Sequence, residues 1–410
     1  MIQLLKNSID LFAARFINVL SQLGIVILIS RRLGPDDFGE FSFLNAVVLT
    51  GIVVAGFGLD TFMVREISRD HDRGNPLIWA IFKFKLISSF IVMCAVYILF
   101  RYMFDTHEIS NMLTLFSVII FLNSLSQSLW FYSDAFNKFK THAFLWATSN
   151  LIKLGFVWLL LSIKTDLSMV IYAVILSEIV TLIYSYGTIE KIFHIKPVHI
   201  PLNDLLLLFK RSYPIAIIFI LSALYFRIDL IMLKLLAVKE ALGFYAASFR
   251  IVEFISIIPS TIYIAAFPNL SKDYVHDHST FSSSTNKTLL FLGPMALIAA
   301  LFIYLFSNMI INTLYGPSFI ESDKCLKILS VVIFLIFFNG YFAYLNLSKD
   351  NEKLIVRILL TATLFKILLN YFLIPKYSHV GSAFSALFSE SLILVLYCVP
   401  FIRKIGRAHV

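Results

Sequence analysis

Charged residues lie inside several long apolar runs of this 410-residue chain, where ordinary solvation cannot explain them. The stretch YFRIDLIMLK, Tyr225 to Lys234, carries Arg227, Asp229 and Lys234. Arg250 and Glu253 follow in the next run, and Arg15, Lys153, Glu178, Lys366 and Glu390 occupy others. Two chemistries suit such groups in a nonpolar setting. Arginine and lysine bind anions, the guanidinium matching phosphate oxygens two at a time. Carboxylates there pair with the cations or exchange protons and metal cations. No zinc signature, phosphate-cradling glycine loop or nucleophile elbow is present, so neither a metal, a cofactor nor a catalytic residue is expected. His276 and His278 form a lone His-x-His, which reads as a solvated loop feature.

The elements that must position these charges are membrane helices. Hydrophobic residues make up 59% of the chain and charged ones only 14%. Mean hydropathy is +0.85, far above that of a protein with a water-facing surface. Runs of about 20 apolar residues, the length that crosses a hydrocarbon core, begin near residue 10 and recur to near residue 380, giving twelve spans. Lysine and arginine are dispersed through short loops, so the net charge of +9 points to membrane topology and not to nucleic acid. With the N-terminus in the cytoplasm, eighteen loop cations fall inside and six outside. Both termini are therefore expected on the cytoplasmic side. Cys94, Cys325 and Cys398 sit in apolar runs and suggest no disulfide framework.

The chain reads as two halves. Gly39 in RRLGPDDFGEFSF and Gly243 in LLAVKEALGFYAAS each open a span after a polar turn. Glu178 in AVILSEIV matches Glu390 in SALFSESL, and Lys153 and Lys366 precede those glutamates by similar distances. The expected plan is an all-α integral membrane protein of two six-helix lobes, residues 1–190 and 213–404. A cytoplasmic amphipathic linker, 191–212, joins them. The final residues, IGRAHV, match the translation of a common sequencing adapter, so 405–410 are set apart as a non-native tail. Two lobes around a central cleft suit alternating access.

Helix rise orders the charges by depth. Measured from the outer ends of their spans, Asp229 and Arg250 lie about 10 Å deep, Arg227 about 13 Å and Glu253 about 15 Å. Two ion pairs across one helical hairpin, Asp229 with Arg250 and Arg227 with Glu253, fit these depths. Lys153 with Glu178 and Lys366 with Glu390 match near the midplane, either as structural pairs or as ion-coupling sites. Arg15, Arg227, Lys234 and Arg250 have no counterpart in the other half, which suits them to an asymmetric anionic ligand. Arg227 and Lys234, seven residues apart, share a helical face, with Asp229 turned away.

Several motifs carry a family resemblance: RRLGPDDFGEFSF, GLDTFMVREISR, RIDLIMLKLLAVKEALGFYAASFRIVEF, FPNLSK, LYGPSF and NYFLIPKYSHVGSAFSALFSE. In these the chain resembles the polysaccharide-transport branch of the multidrug/oligosaccharidyl-lipid/polysaccharide exporters, in particular the Wzx-type O-antigen repeat-unit flippases. The resemblance implies a multi-pass carrier in the bacterial inner membrane that moves an undecaprenyl-diphosphate-linked glycan from the cytoplasmic to the periplasmic leaflet. It further implies a diphosphate contact for Arg250, by its setting in FRIVEF, and for Arg15 in the first span. An arginine that related lipid II flippases carry in their second span is missing. Partners from the polysaccharide assembly machinery fit the same picture. The rival expectations are a multidrug exporter, which calls for an acidic aromatic cavity, and a membrane polymerase or ligase, which calls for a large external catalytic loop.

Overall fold

The computed structural model describes residues 2–103, 107–198, 201–276, 278–349 and 351–407. Among them the secondary structure is helical throughout: α1 (Ile2–Gly56), α2 (Leu59–Arg69), α3 (Gly74–Met103), α4 (His107–Ala135), α5 (Phe139–Ile163), α6 (Leu167–Phe193), α7 (Leu202–Leu236), α8 (Lys239–His276), α9 (His278–Leu314), α10 (Ser322–Leu347) and α11 (Glu352–Arg407). Ten stretches of these helices are long and apolar enough to cross a membrane. Two of them, Leu20–Arg69 and Glu352–Cys398, run to 50 and 47 residues. At about 1.5 Å per residue each is long enough to cross twice, so the ten stretches accommodate the twelve expected spans.

Local sequence explains the breaks in the two long helices. Inside α1, Gly34 adopts φ 77°, a left-handed conformation that costs glycine little. Pro35 follows, suited to a first helical position, and Asp36 and Asp37 place negative charge in the new first turn. Inside α11 the break falls at Ser378, with φ 53°, three residues after Pro375. After α6, His194 closes the helix in a left-handed conformation, residues 194–198 are irregular, and α7 starts at Leu202.

The chain divides into two compact units. Unit 1 comprises Met1–Leu33 and Leu44–Ala223; unit 2 comprises Gly34–Phe43 and Leu224–Val410. In unit 1, α4 is central, packing on α2, α3, α5 and α6. In unit 2, α10 has the same place, packed on α8, α9 and α11. Each central helix buries small polar residues as well as apolar ones, with Ser124, Ser126 and Ser128 on α4 and Ser330 and Asn339 on α10. Much of the outer apolar surface is exposed, as on Leu86, Phe90, Ile91, Phe302 and Leu305. In a bilayer such residues meet lipid, which is as nonpolar as they are.

The two glycines that mark the repeat meet each other in unit 2. A Cβ on Gly39 would lie 2.7 Å from the backbone nitrogen of Gly243, and one on Gly243 would lie 2.0 Å from the carbonyl oxygen of Pro35. Only glycine at both places lets the short segment after the Gly34 break press its backbone against the start of α8.

Candidate functional site

Unit 2 gathers most of the singled-out charges on α7, α8 and α11. Asp229 of α7 is fully buried. Its Oδ2 lies 2.7 Å from the ammonium of Lys366, with the side chains only 1% and 2% exposed. Tyr245 donates its hydroxyl to the same oxygen at 2.6 Å, and Asn370 donates to Oδ1 at 2.8 Å. Asn370 is one helical turn beyond Lys366, so a single face of α11 supplies both groups. Lys366 also donates to the Tyr225 carbonyl at 3.0 Å and sits 4.4 Å from the centre of the Tyr225 ring. Desolvating both charges offsets most of their attraction, yet losing one partner strands the other. The pair therefore fixes α7 against α11.

Glu390 is held differently. Tyr225 donates to its Oε1 at 2.9 Å and Asn339 to its Oε2 at 2.6 Å, both neutral donors. Lys366 is committed to Asp229, so the expected Lys366–Glu390 pair is replaced. Unit 1 shows the alternative outcome. Lys153 and Glu178 pair at 2.6 Å, with Asn123 donating to the second carboxylate oxygen at 3.1 Å. Asn123 on α4 and Asn339 on α10 thus do the same work in the two units. The difference lies on the first helix of each half. Unit 2 has Asp229 to capture its lysine, whereas the sequence of unit 1 offers Ile25 at the position 204 residues earlier.

The hairpin pairs inferred from depth are also redrawn. Asp229 meets Lys366, and Arg250 bridges to Glu253 along its own helix, Nη1 to Oε2 at 2.7 Å, with the side chains 22% and 34% exposed. Depth along a span gives height alone, and residues at equal height on α7 and α8 face different neighbours. Arg227 has no hydrogen bond or ion pair among the described residues, but it lies within electrostatic reach of both Glu253 and Arg250. Lys234 is separated from this group. Its ammonium bonds to the buried Glu40 carboxylate and stands 5.9 Å from the centre of the Phe43 ring. A diphosphate contact for Lys234 would first have to break that bond. The side chain of Arg15 lies outside the described residues, as do those of His276, His278 and 405–407 and the whole of 408–410.

Sequence reasoning missed one buried pair altogether. Lys85 of α3 lies 2.8 Å from both oxygens of Asp60 and 2.9 Å from the Ser124 carbonyl, and Ser128 adds a hydrogen bond to Asp60 at 2.9 Å. The signal was Lys85 in the run IFKFKLISSF. Its partner was obscured because Asp60 stands at the start of α2, just after the left-handed pair Phe57 and Gly58. Among the described residues, no group of three or more metal-ligating side chains exists.

After these pairings the partly exposed charges of the cluster are Arg227, Arg250 and Glu253, a net cationic group on the helices of a membrane-spanning bundle. Two helical units, each built round a central helix that hands an amide to a buried glutamate, define a multi-pass membrane protein with a transporter fold. Solved structures share it. A multidrug resistance MATE family transporter of the MOP superfamily aligns with TM-score 0.77 at 15% identity, covering 95% of this chain and 94% of that one. Lipid II flippase MurJ aligns with TM-score 0.76 at 14% identity, covering 96% and 87%.

The chain belongs to the family described as Polysaccharide biosynthesis protein, whose model matches residues 4–274. A second model, MatE, matches residues 214–372. The capsular polysaccharide biosynthesis protein CapF of Staphylococcus aureus is 23% identical over 406 residues, 96% of this chain and 98% of that protein. A Shigella flexneri protein named for O-antigen transport is 22% identical, covering 93% and 94%.

Proposed function

We propose that this protein moves an undecaprenyl-diphosphate-linked oligosaccharide from the cytoplasmic to the periplasmic leaflet of a bacterial membrane, for O-antigen or a related surface polysaccharide. The observation that carries this reading is the Arg227, Arg250 and Glu253 group, in which two arginines share one partly exposed carboxylate, whereas Lys366 and Lys234 are each paired with a buried carboxylate of their own. Two guanidinium groups and one carboxylate give a net positive charge suited to a diphosphate, which guanidinium binds bidentately. The family match and the relatives named for capsule synthesis and O-antigen transport support the same substrate class. The headgroup is exposed first to one face of the membrane and then to the other, while the polyprenyl tail stays in lipid.

For ion coupling the reading assigns Glu390. It is buried on neutral donors, whereas the carboxylates of Asp229 and Glu178 are ion-paired. Proteoliposomes loaded with an undecaprenyl-diphosphate-linked glycan test the transport reading. Glycan should become accessible on the opposite leaflet with the wild-type protein and fail to do so with Arg227→Glu/Arg250→Glu. Movement of organic cations with no movement of the lipid-linked glycan would favour the drug-export reading.

A further inference from the structure

Unit 1 contains a cavity of about 440 Å³ that none of the charges discussed above occupies. Its walls come from two helix faces. Gln127, Trp130, Phe131 and Asp134 follow one another on α4 at the spacing that stacks side chains along a single face. His142 and Trp146, one turn apart, face them from α5. The aromatic rings crowd round the imidazole, with His142 at 5.2 Å from Phe131, 6.1 Å from Trp130 and 6.4 Å from Trp146, measured between ring centres.

The polar groups are fixed in place before any ligand arrives. His142 Nδ1 is 2.7 Å from Asp134 Oδ2, which sets the ring orientation and leaves Nε2 without a protein partner among the described residues. Trp130 donates its indole N–H to Ser185 Oγ at 3.0 Å, so its ring is anchored from behind. Gln127 donates its amide to Asn123 Oδ1 at 2.7 Å, which leaves the Gln127 carbonyl oxygen free to accept. The cavity thus offers flat aromatic surfaces together with an imidazole nitrogen and an amide oxygen, on side chains held by their own bonds.

We infer that this cavity is a saccharide subsite, which binds one or more sugar rings of the transported glycan. The inference rests on the proposed transport of a lipid-linked oligosaccharide and names where its sugars are recognised. A pyranose ring has an apolar face of C–H groups that packs on an aromatic ring, and hydroxyls round its edge that need neutral donors and acceptors. The volume falls in the usual range for small-ligand sites, and the mixture of apolar wall with few convergent polar groups is their usual composition. An organic cation also favours aromatic walls. However, the one carboxylate lining this cavity is engaged with His142 through Oδ2, and its buried Oδ1, which has no hydrogen-bond partner among the described residues, joins the Gln127 amide oxygen and His142 Nε2 as polar atoms placed to bond hydroxyls.

The site is also connected to a buried ion pair. Gln127 bonds Asn123, Asn123 bonds Glu178 Oε2, and Glu178 pairs with Lys153. A ligand hydroxyl on Gln127 therefore touches the end of a hydrogen-bonded chain that reaches into the middle of the unit.

Direct binding tests this on the full chain in detergent. With Trp79 and Trp158 changed to Phe, the two remaining tryptophans, Trp130 and Trp146, report on the cavity. The probes are free glucose, galactose, rhamnose, N-acetylglucosamine and N-acetylgalactosamine and their di- and trisaccharides, with inorganic pyrophosphate and tetraphenylphosphonium alongside. At least one saccharide should change the fluorescence saturably. By calorimetry on the chain with Trp79 and Trp158 intact, Trp146→Ala should weaken that binding about tenfold or more, and Trp146→Phe should retain most of it. Gln127→Ala should weaken it too, while pyrophosphate binding stays unchanged. No response to any saccharide, equal binding by Trp146→Ala and Gln127→Ala, or displacement of the saccharide by tetraphenylphosphonium would overturn the inference. A vesicle assay keeps the two readings apart. Wild-type protein that binds saccharide in the cavity yet moves no lipid-linked glycan would refute the transport reading alone. Protein that transports but binds no saccharide would refute the subsite alone.

Discussion

Replacing Lys366 with Met is the sharpest test of how unit 2 is held together. Met keeps most of the aliphatic stem, so little packing is lost and the change isolates the ammonium that stands over the Tyr225 ring. What remains is Asp229, fully buried, with hydrogen bonds from Tyr245 and Asn370 but no cation within 4 Å. Stranding one member of a buried pair costs about 3 to 5 kcal/mol. The lost bond to the Tyr225 carbonyl adds about 1 kcal/mol. Asp229→Asn alone strands Lys366 and should cost a similar amount. The double variant removes both charges and should recover much of the loss, a coupling of about 2 kcal/mol or more. The assay is an SDS titration in mixed micelles, read by thiol labelling of the buried Cys325 with Cys94 and Cys398 changed to Ser. Single variants within about 0.5 kcal/mol of wild type, or losses that simply add, would refute the reasoning.

Three further outcomes follow from the geometry. Gly243→Ala forces a Cβ to within 2.0 Å of the Pro35 carbonyl, so a strain of about 1 to 3 kcal/mol outweighs the gain of about 1 kcal/mol in helix propensity. Gly155→Ala, with open space around it in α5, should instead stabilise by about 1 kcal/mol, and the same titration reads both signs. Glu390→Gln, which removes the titratable group among Tyr225, Asn339, Lys366, Asp229 and Tyr397, should abolish acceleration of transport by an imposed pH gradient while leaving gradient-free equilibration of the glycan measurable. Unchanged gradient dependence would remove Glu390 from the coupling role.

The architecture was legible because its causes are local. Apolar runs set the spans, and Leu-Gly-Pro-Asp-Asp sets the break in α1 through a left-handed glycine, a first-turn proline and first-turn acids. The matching of Gly39 with Gly243, found as a repeat, turned out to be a point of backbone contact within one unit. Partnerships across long sequence separations were less legible. Helix rise places Asp229 and Arg250 at one height, but the direction in which each points depends on helix packing, and packing put Lys366 opposite Asp229. The bond that engages Lys234 could not be read without its partner Glu40, which lies 194 positions away in sequence. The aromatic cavity of unit 1 was written in the four-residue spacing of Trp130 with Asp134 and of His142 with Trp146. Against 41 phenylalanines and 18 tyrosines, that pattern carried no signal of its own.

The most direct measurement of the central claim is leaflet transfer of a fluorescent undecaprenyl-diphosphate-linked glycan in vesicles holding the purified chain, compared with Arg227→Glu, Arg250→Glu and the double variant. Wild-type protein should transfer the glycan. Each reversal should slow transfer by about tenfold or more, the scale of one charge-assisted phosphate contact, and the double variant should abolish it. Transfer by the double variant at the wild-type rate would contradict the role given to these arginines, and no transfer by the wild-type protein would contradict the transport itself.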